Sequence, residues 1–151
     1  MKISLGIITK HFNTLEPVDE FLNNASKYNH KIYSVIIVYS HSCDFRLVEN
    51  LKEKVKIFLI KINNAPQIKQ QLIKIGVSQE SINILLDCPS LKKYGVVPYG
   101  LNRNYVVIQA LLTGSEGLFF VDTDVYPKVL VKEGDEVKGK EIDFFGRHFW
   151  K

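Results

Sequence analysis

A chain of 151 residues that is 46% hydrophobic and 24% charged has the size and balance of one globular domain, which excludes a disordered or low-complexity chain. Net charge is +4 and the isoelectric point about 9.0, which favours phosphates or an acidic membrane surface as partners. The lysines are spread along the chain rather than clustered, so no nucleic-acid footprint is expected.

Cys43 and Cys88 stand far apart with no CxxC pair, so neither a zinc site nor a disulfide framework is indicated, and Cys43 is expected to be inert. The start of the chain turns polar too soon for a signal peptide, and no apolar run approaches the roughly 20 residues of a membrane span. A cytoplasmic, reducing location is the expectation.

In chain order the pattern alternates strand and helix. Ile3–Ile8 is a short apolar run ended by Thr9-Lys10-His11. Val18–Tyr28 spaces Val18, Phe21, Leu22 and Ala25 as one helical face, after a Pro17 suited to a first turn. Ser34–Tyr39 is uncharged and β-branched, as a strand buried on both faces should be. Phe45–Glu53 predicts a helix with Phe45, Val48 and Leu51 inward, and Val55–Ile62 a third strand. Helices follow over Pro66–Ile75, closed by Gly76, and over Gln79–Leu86, entered through Ser78. Asp87–Gly100 predicts a loop, and Asn102–Leu112 a helix with Val106, Ala110 and either Val107 or Leu111 inward. Leu118–Val121 predicts a fourth strand that runs straight into Asp122-Thr123-Asp124. Val129–Lys132 and Glu136–Lys138 flank Gly134-Asp135 as a β-hairpin, and Ile142–Phe145 predicts the start of one more strand.

Such alternation predicts a single α/β domain over residues 1–151, its mainly parallel sheet covered by helices. Ligands in such sheets lie beyond the carboxyl ends of the strands. Those ends are Thr9–Asn13, Ser40–Asp44, Asn63-Asn64 and Asp122–Asp124, all polar. Asp122 and Asp124 put two carboxylates at one strand tip, where they repel unless a cation lies between them or one is protonated. Hard oxygen ligands suit Mg²⁺ or Mn²⁺ shared with substrate phosphates. The plainer alternative is a turn before Pro127 capped by Asp-Thr-Asp.

The run Gly100-Leu101-Asn102-Arg103-Asn104, then a helix through Ala110, Gly114, an apolar strand and Asp122-Thr123-Asp124, resembles the inverting family-2-like glycosyltransferases of the GT-A fold. Ile3–Asn13 is similar to their first strand and Ser34–Asp44 to their second, so the likeness spans most of residues 3–126. The resemblance implies a Rossmann-like nucleotide-diphospho-sugar transferase fold and a metal-dependent transfer from a nucleotide-diphosphate sugar to a sugar or lipid-linked acceptor. In that reading Asp124 ligates Mn²⁺ or Mg²⁺, and Asp122 contacts the ribose or a metal-bound water. Arg103, beside Asn104, faces the diphosphate, while Thr9 and Asn13 line the nucleoside. Where the family has carboxylates after strand two, this chain has Tyr39 and Ser40, and Asp44 is the substitute. His148 returns to the metal as a late histidine does in some of these enzymes. A base is needed, and of Asp143, Glu141, Glu133 and Asp135 the one assigned as catalytic is Asp143.

The family continues into an acceptor-binding half beyond the position of Lys151. The expectation is therefore transfer assisted by self-association into a homo-oligomer, by peripheral membrane association or by a second protein. Two other readings compete. One is a nucleotide-sugar-binding domain without activity. The other is a polymerase-β-like nucleotidyltransferase, since Gly114-Ser115 precedes Asp122-Thr123-Asp124.

Overall fold

The computed structural model describes residues 1–62, 65–87 and 99–149, without the side chains of residues 147–149. Four strands, β1 (Ile3–Phe12), β2 (Ile32–Cys43), β3 (Lys56–Lys61) and β4 (Gly117–Val121), form one parallel sheet in the order β3-β2-β1-β4. The helices are α1 (Glu16–Lys27), α2 (Phe45–Lys52), α3 (Pro66–Lys74), α4 (Gln79–Leu86), α5 (Tyr99–Leu112) and α6 (Phe144–Phe149). Strands β5 (Lys128–Glu133) and β6 (Glu136–Glu141) pair antiparallel as a separate hairpin, turned at Gly134, whose φ is +66°. The α/β class, the parallel sheet flanked by helices and the carboxyl-terminal hairpin follow the sequence pattern.

Period two divides the core. On β2, Val35 and Ile37 join the side chains of α1, α2 and α6 on one face of the sheet. Ile36 and Val38 join those of α3, α4 and α5 on the other. A strand covered on both sides has no use for a charge, which is why Ser34–Tyr39 reads as an unbroken apolar run. The face of β1 toward α5 is built small. Ser4 Oγ lies 2.7 Å from both Ser34 Oγ and Ser115 Oγ, so its burial is satisfied by hydroxyls. At Gly6 an added Cβ would stand 2.4 Å from Val106 Cγ1, and this close approach seats α5 on the sheet.

The boundaries of several elements differ from expectation for physical reasons. β1 and β2 both extend beyond their apolar cores because Thr9–Phe12 and Ser40–Cys43 continue to pair with each other. The inward face of α2 is Val48 and Leu51, with Leu47 half-buried beside them. Phe45, at the first position of that helix, is exposed and flanks the open edge of β3. Helix α5 starts at Tyr99, three residues before the expected Asn102. It is covered on two sides, so Leu101, Tyr105 and Ile108 are buried as well as Val106 and Ala110. Its outward stripe is Tyr99, Arg103, Val107 and Leu111 at four-residue spacing, so neither Val107 nor Leu111 turns inward.

The expected last strand at Ile142–Phe145 is instead the entry to α6. Asp143 Oδ1 accepts from Gly146 N at 2.8 Å, as an N-cap side chain does. Phe144 and Phe145 then both pack on Phe119, with ring centres 4.7 and 6.2 Å away. Consecutive residues of a strand point to opposite faces, whereas a helical turn can bring both rings to one cluster. Buried Asn24 ties this end of the chain to α1. Its amide nitrogen donates to Ile142 O at 2.7 Å and to Glu141 Oε1 at 3.1 Å, and its Oδ1 accepts from Phe144 N.

Candidate functional site

From β1 the chain moves outward to β2 and β3, then crosses back through α3, α4 and α5 to place β4 on the other side of β1. That reversal of direction opens a crevice beyond the carboxyl ends of β1 and β4, where open α/β sheets take their ligands. The register sets what stands there. Ile7 pairs with Val121, so β4 ends beside the middle of β1, and Asp122 emerges level with the apolar notch formed by Ile7, Phe12, Pro17, Val18 and Val121.

Asp122, Thr123 and Asp124 are all exposed at the tip of β4. The backbone turns here, with Val125 N donating to Asp122 O at 3.2 Å. Asp122 Oδ1 lies 3.5 Å from Tyr99 Oη, a long contact. Among the described residues Asp124 has no ion-pair or hydrogen-bond partner, and neither carboxylate has a lysine or arginine within ion-pair distance. Two uncompensated carboxylates one residue apart fit a hard divalent cation, with waters or phosphate oxygens completing its shell. The described residues hold no group of three His, Cys, Asp or Glu side chains that would enclose a metal without such help.

Helix α5 runs back against the strands, so its amino end lies at this same end of the sheet. Arg103 projects from its outward stripe, its guanidinium 4.6 Å from the Tyr99 ring centre and 5.1 Å from that of Phe120. Such stacking orients the planar fork without consuming its donors. One further bond, from Arg103 Nη2 to Tyr99 Oη at 3.3 Å, completes a chain from guanidinium through phenol to Asp122. The N–H groups of the first helical turn have no partner within the helix itself. Tyr99 belonged to the expected loop. Its signal in the sequence is the four-residue spacing to Arg103, which makes ring and guanidinium neighbours once both are helical. Asn102, in the same turn, is buried, and among the described residues its Oδ1 has no hydrogen-bond partner.

The other expected site residues divide between this end of the sheet and elsewhere. Thr9 lies near the tip of β1, its hydroxyl donating to His11 O at 2.9 Å, and Asn13 is exposed just after β1. Asp44 is at the correct end of the sheet, but it is the N-cap of α2. It accepts from Arg46 N at 3.0 Å and pairs with the Arg46 guanidinium at 2.9 Å, and these bonds hold its carboxyl below the usual range. Asn104 points away from the crevice and donates to Leu85 O at 2.9 Å. With Tyr105 Oη on Leu86 O at 3.0 Å, it satisfies the last carbonyls of α4.

Asp143 is not brought to the crevice. It bonds His30 Nε2 at 2.8 Å, and His30 precedes β2 at the amino end of the sheet. About four residues of strand, roughly 13 Å, separate that end from Asp122. The side chain of His148 lies outside the described residues. Gly114-Ser115 also belongs to the amino end, where Ser115 bonds Ser4 and Glu116 N bonds Lys2 O. Cys43 is half-buried against the core, and this burial raises its thiol pKa.

The described residues include no helix long and apolar enough to cross a membrane. Compared with known protein families, with curated proteins and with solved structures, the chain matches none.

Proposed function

We propose that the chain binds a nucleotide-diphosphate sugar and a divalent cation at the carboxyl ends of β1 and β4, and acts as a metal-dependent glycosyltransferase of the GT-A, family-2-like type. The observation that carries this reading is the placement of Asp122 and Asp124, exposed and uncompensated, at the switch point of a parallel sheet. Arg103 stands one tyrosine away.

A glycosyl donor leaves a nucleoside diphosphate behind, so negative charge grows on its bridging oxygen. Mn²⁺ or Mg²⁺, when bound, supplies Lewis-acid stabilisation of that charge. Arg103 offers two or more N–H donors to phosphate oxygens, and its clamping by Tyr99 and Phe120 lowers the cost of holding it still. The amino end of α5 adds backbone donors and the positive end of the helix dipole. Thr9 and Asn13, on the facing strand tip, border the nucleoside. Asp44, committed to Arg46, and Asn104, committed to α4, act on this site only by holding the elements around it.

The remoteness of Asp143 favours a second reading, donor binding without transfer. Gly114-Ser115 stands at the amino end of β4 and Asp122 at its carboxyl end, which counts against the nucleotidyltransferase reading. Titration calorimetry of UDP and GDP with Mn²⁺ and with EDTA tests the site, and a panel of sugar and lipid-linked acceptors tests turnover. Binding should need the cation, and Asp124→Asn should abolish that dependence. Equal binding with Mn²⁺ and with EDTA would refute the metal site. Binding without turnover would select the second reading.

A further inference from the structure

β1 and β2 outrun their neighbours. The pairing of β1 with β4 ends at Ile7–Val121 and that of β2 with β3 at Tyr39–Lys61. Beyond these points Thr9–Phe12 and Ser40–Cys43 form a two-stranded spur, one histidine on each strand. The spur is irregular in a specific way. Thr9 pairs with Tyr39 but His11 with Ser42, so Ser40 and His41 together oppose Lys10 alone. A bulge of this kind is rare in parallel pairs and serves to re-aim a side chain. In a regular strand His41 would point away from its neighbour Ser42, and so away from His11. Here the His11 and His41 ring centres are 5.2 Å apart with the planes inclined by 46°.

Each ring is anchored by a hydroxyl. His11 Nδ1 lies 2.8 Å from Ser42 Oγ, and His41 Nδ1 lies 2.7 Å from Ser40 Oγ. With Nδ1 engaged on both, Nε2 is the nitrogen left open on both, and both histidines are exposed. An outer hydroxyl that accepts from Nδ1–H fixes the tautomer in which Nε2 presents a lone pair. Two imidazoles sharing one tetrahedral ion through Nε2, with metal–nitrogen bonds of about 2.0–2.1 Å, have ring centres about 5 Å apart. That is the separation found.

We propose that His11 and His41 form a two-histidine site for a divalent transition metal of the Zn²⁺ class, distinct from the carboxylate site at Asp122 and Asp124. Imidazole nitrogen selects Zn²⁺, Cu²⁺ or Ni²⁺ over the Mg²⁺ and Mn²⁺ favoured by carboxylates. Cys43, turned into the core, is not a third ligand. With no group of three such side chains among the described residues, the remaining positions on the ion go to water or to an incoming anion.

Zinc titration by calorimetry on tag-free protein, in a buffer that does not bind zinc, tests this. One Zn²⁺ per chain is expected at this site, with the Nε2 resonances of both histidines shifting in nitrogen-15 spectra. His11→Ala and His41→Ala should each weaken binding by about tenfold or more, and Ser42→Ala by about tenfold through the lost anchor. Unchanged melting temperatures would show that these exposed variants still fold. Asp122→Asn with Asp124→Asn should leave the zinc affinity as it was. Zinc affinity unaltered in the double histidine variant, absence of a saturable site, or loss of zinc only in the aspartate variant would each overturn the proposal.

Discussion

Replacing Gly6 by alanine probes how α5, and with it Arg103, is seated on the sheet. The new methyl would lie 2.4 Å from Val106 Cγ1 and 3.4 Å from Leu118 Cδ1. Ordinary carbon contacts are about 3.5–4.0 Å, so roughly 1 Å or more must be found. The Leu118 end can swing, but Val106 is stiff about its first side-chain torsion and fully buried. The strain therefore passes to the helix backbone. Overpacking of this size costs about 1–3 kcal/mol. Gly6 is not at positive φ, so alanine also restricts the unfolded chain, which offsets about 0.4–1 kcal/mol. A net loss of about 1–2 kcal/mol is expected, a fall in Tm of about 2–8 °C for a chain of this length.

Val106→Ala alone should cost about 1–3 kcal/mol by leaving a void. In the double variant the two changes should compensate by about 1 kcal/mol or more, because each makes room for the other. Denaturant melts of the four proteins measure that coupling. Strict additivity, or a Gly6→Ala protein as stable as the parent, would show that Val106 does not set the height of α5. Arg103 is three residues from Val106 on the same helix, so Gly6→Ala should also weaken cation-dependent diphosphate binding.

Arg103→Ala should weaken nucleoside diphosphate about tenfold or more while changing free nucleoside little, as calorimetry on the two ligands would show. An equal loss for both would mean that the guanidinium supports structure and touches no phosphate. Glu141 is held below its ordinary value of 4.5 first by the Lys27 ammonium and then by the Asn24 amide. A carboxyl lowered in the folded state contributes stability that is full above pH 4.5 and is lost as pH falls through the lower folded value. Glu141→Gln should therefore flatten the acid limb of a Tm-against-pH curve below pH 4.5, and an unchanged limb would show that the pair is not formed in solution.

What the sequence determined by itself was whatever depends on local period and on single capping residues. The uncharged, β-branched run at Ser34–Tyr39 reads as a doubly covered strand, and it is one. Ser78 before Gln79–Leu86 set a helix whose bounds the structure reproduces, its hydroxyl accepting from Ser81 N. Gly76, at φ +90°, closed α3 as expected. The position of Asp122 and Asp124 at a strand tip was equally legible, since an apolar run followed by carboxylates has one natural placement. Tertiary structure decided everything that depended on a distant partner. The polar residues Thr9–His11 and Ser40–Ser42 are strand because they pair with each other across thirty residues of chain, and no local propensity announces that. Phe144 and Phe145 are helical because Phe21 and Phe119 draw both rings to one side. In the sequence Arg103 is assigned to the diphosphate through a motif, whereas Asp143 is assigned only because a base is needed. They end up apart because Arg103 sits near the start of α5, at the carboxyl ends of the strands, while the bond from Asp143 to His30 holds it at the amino end, and only tertiary contacts say which end of a parallel sheet a residue inhabits.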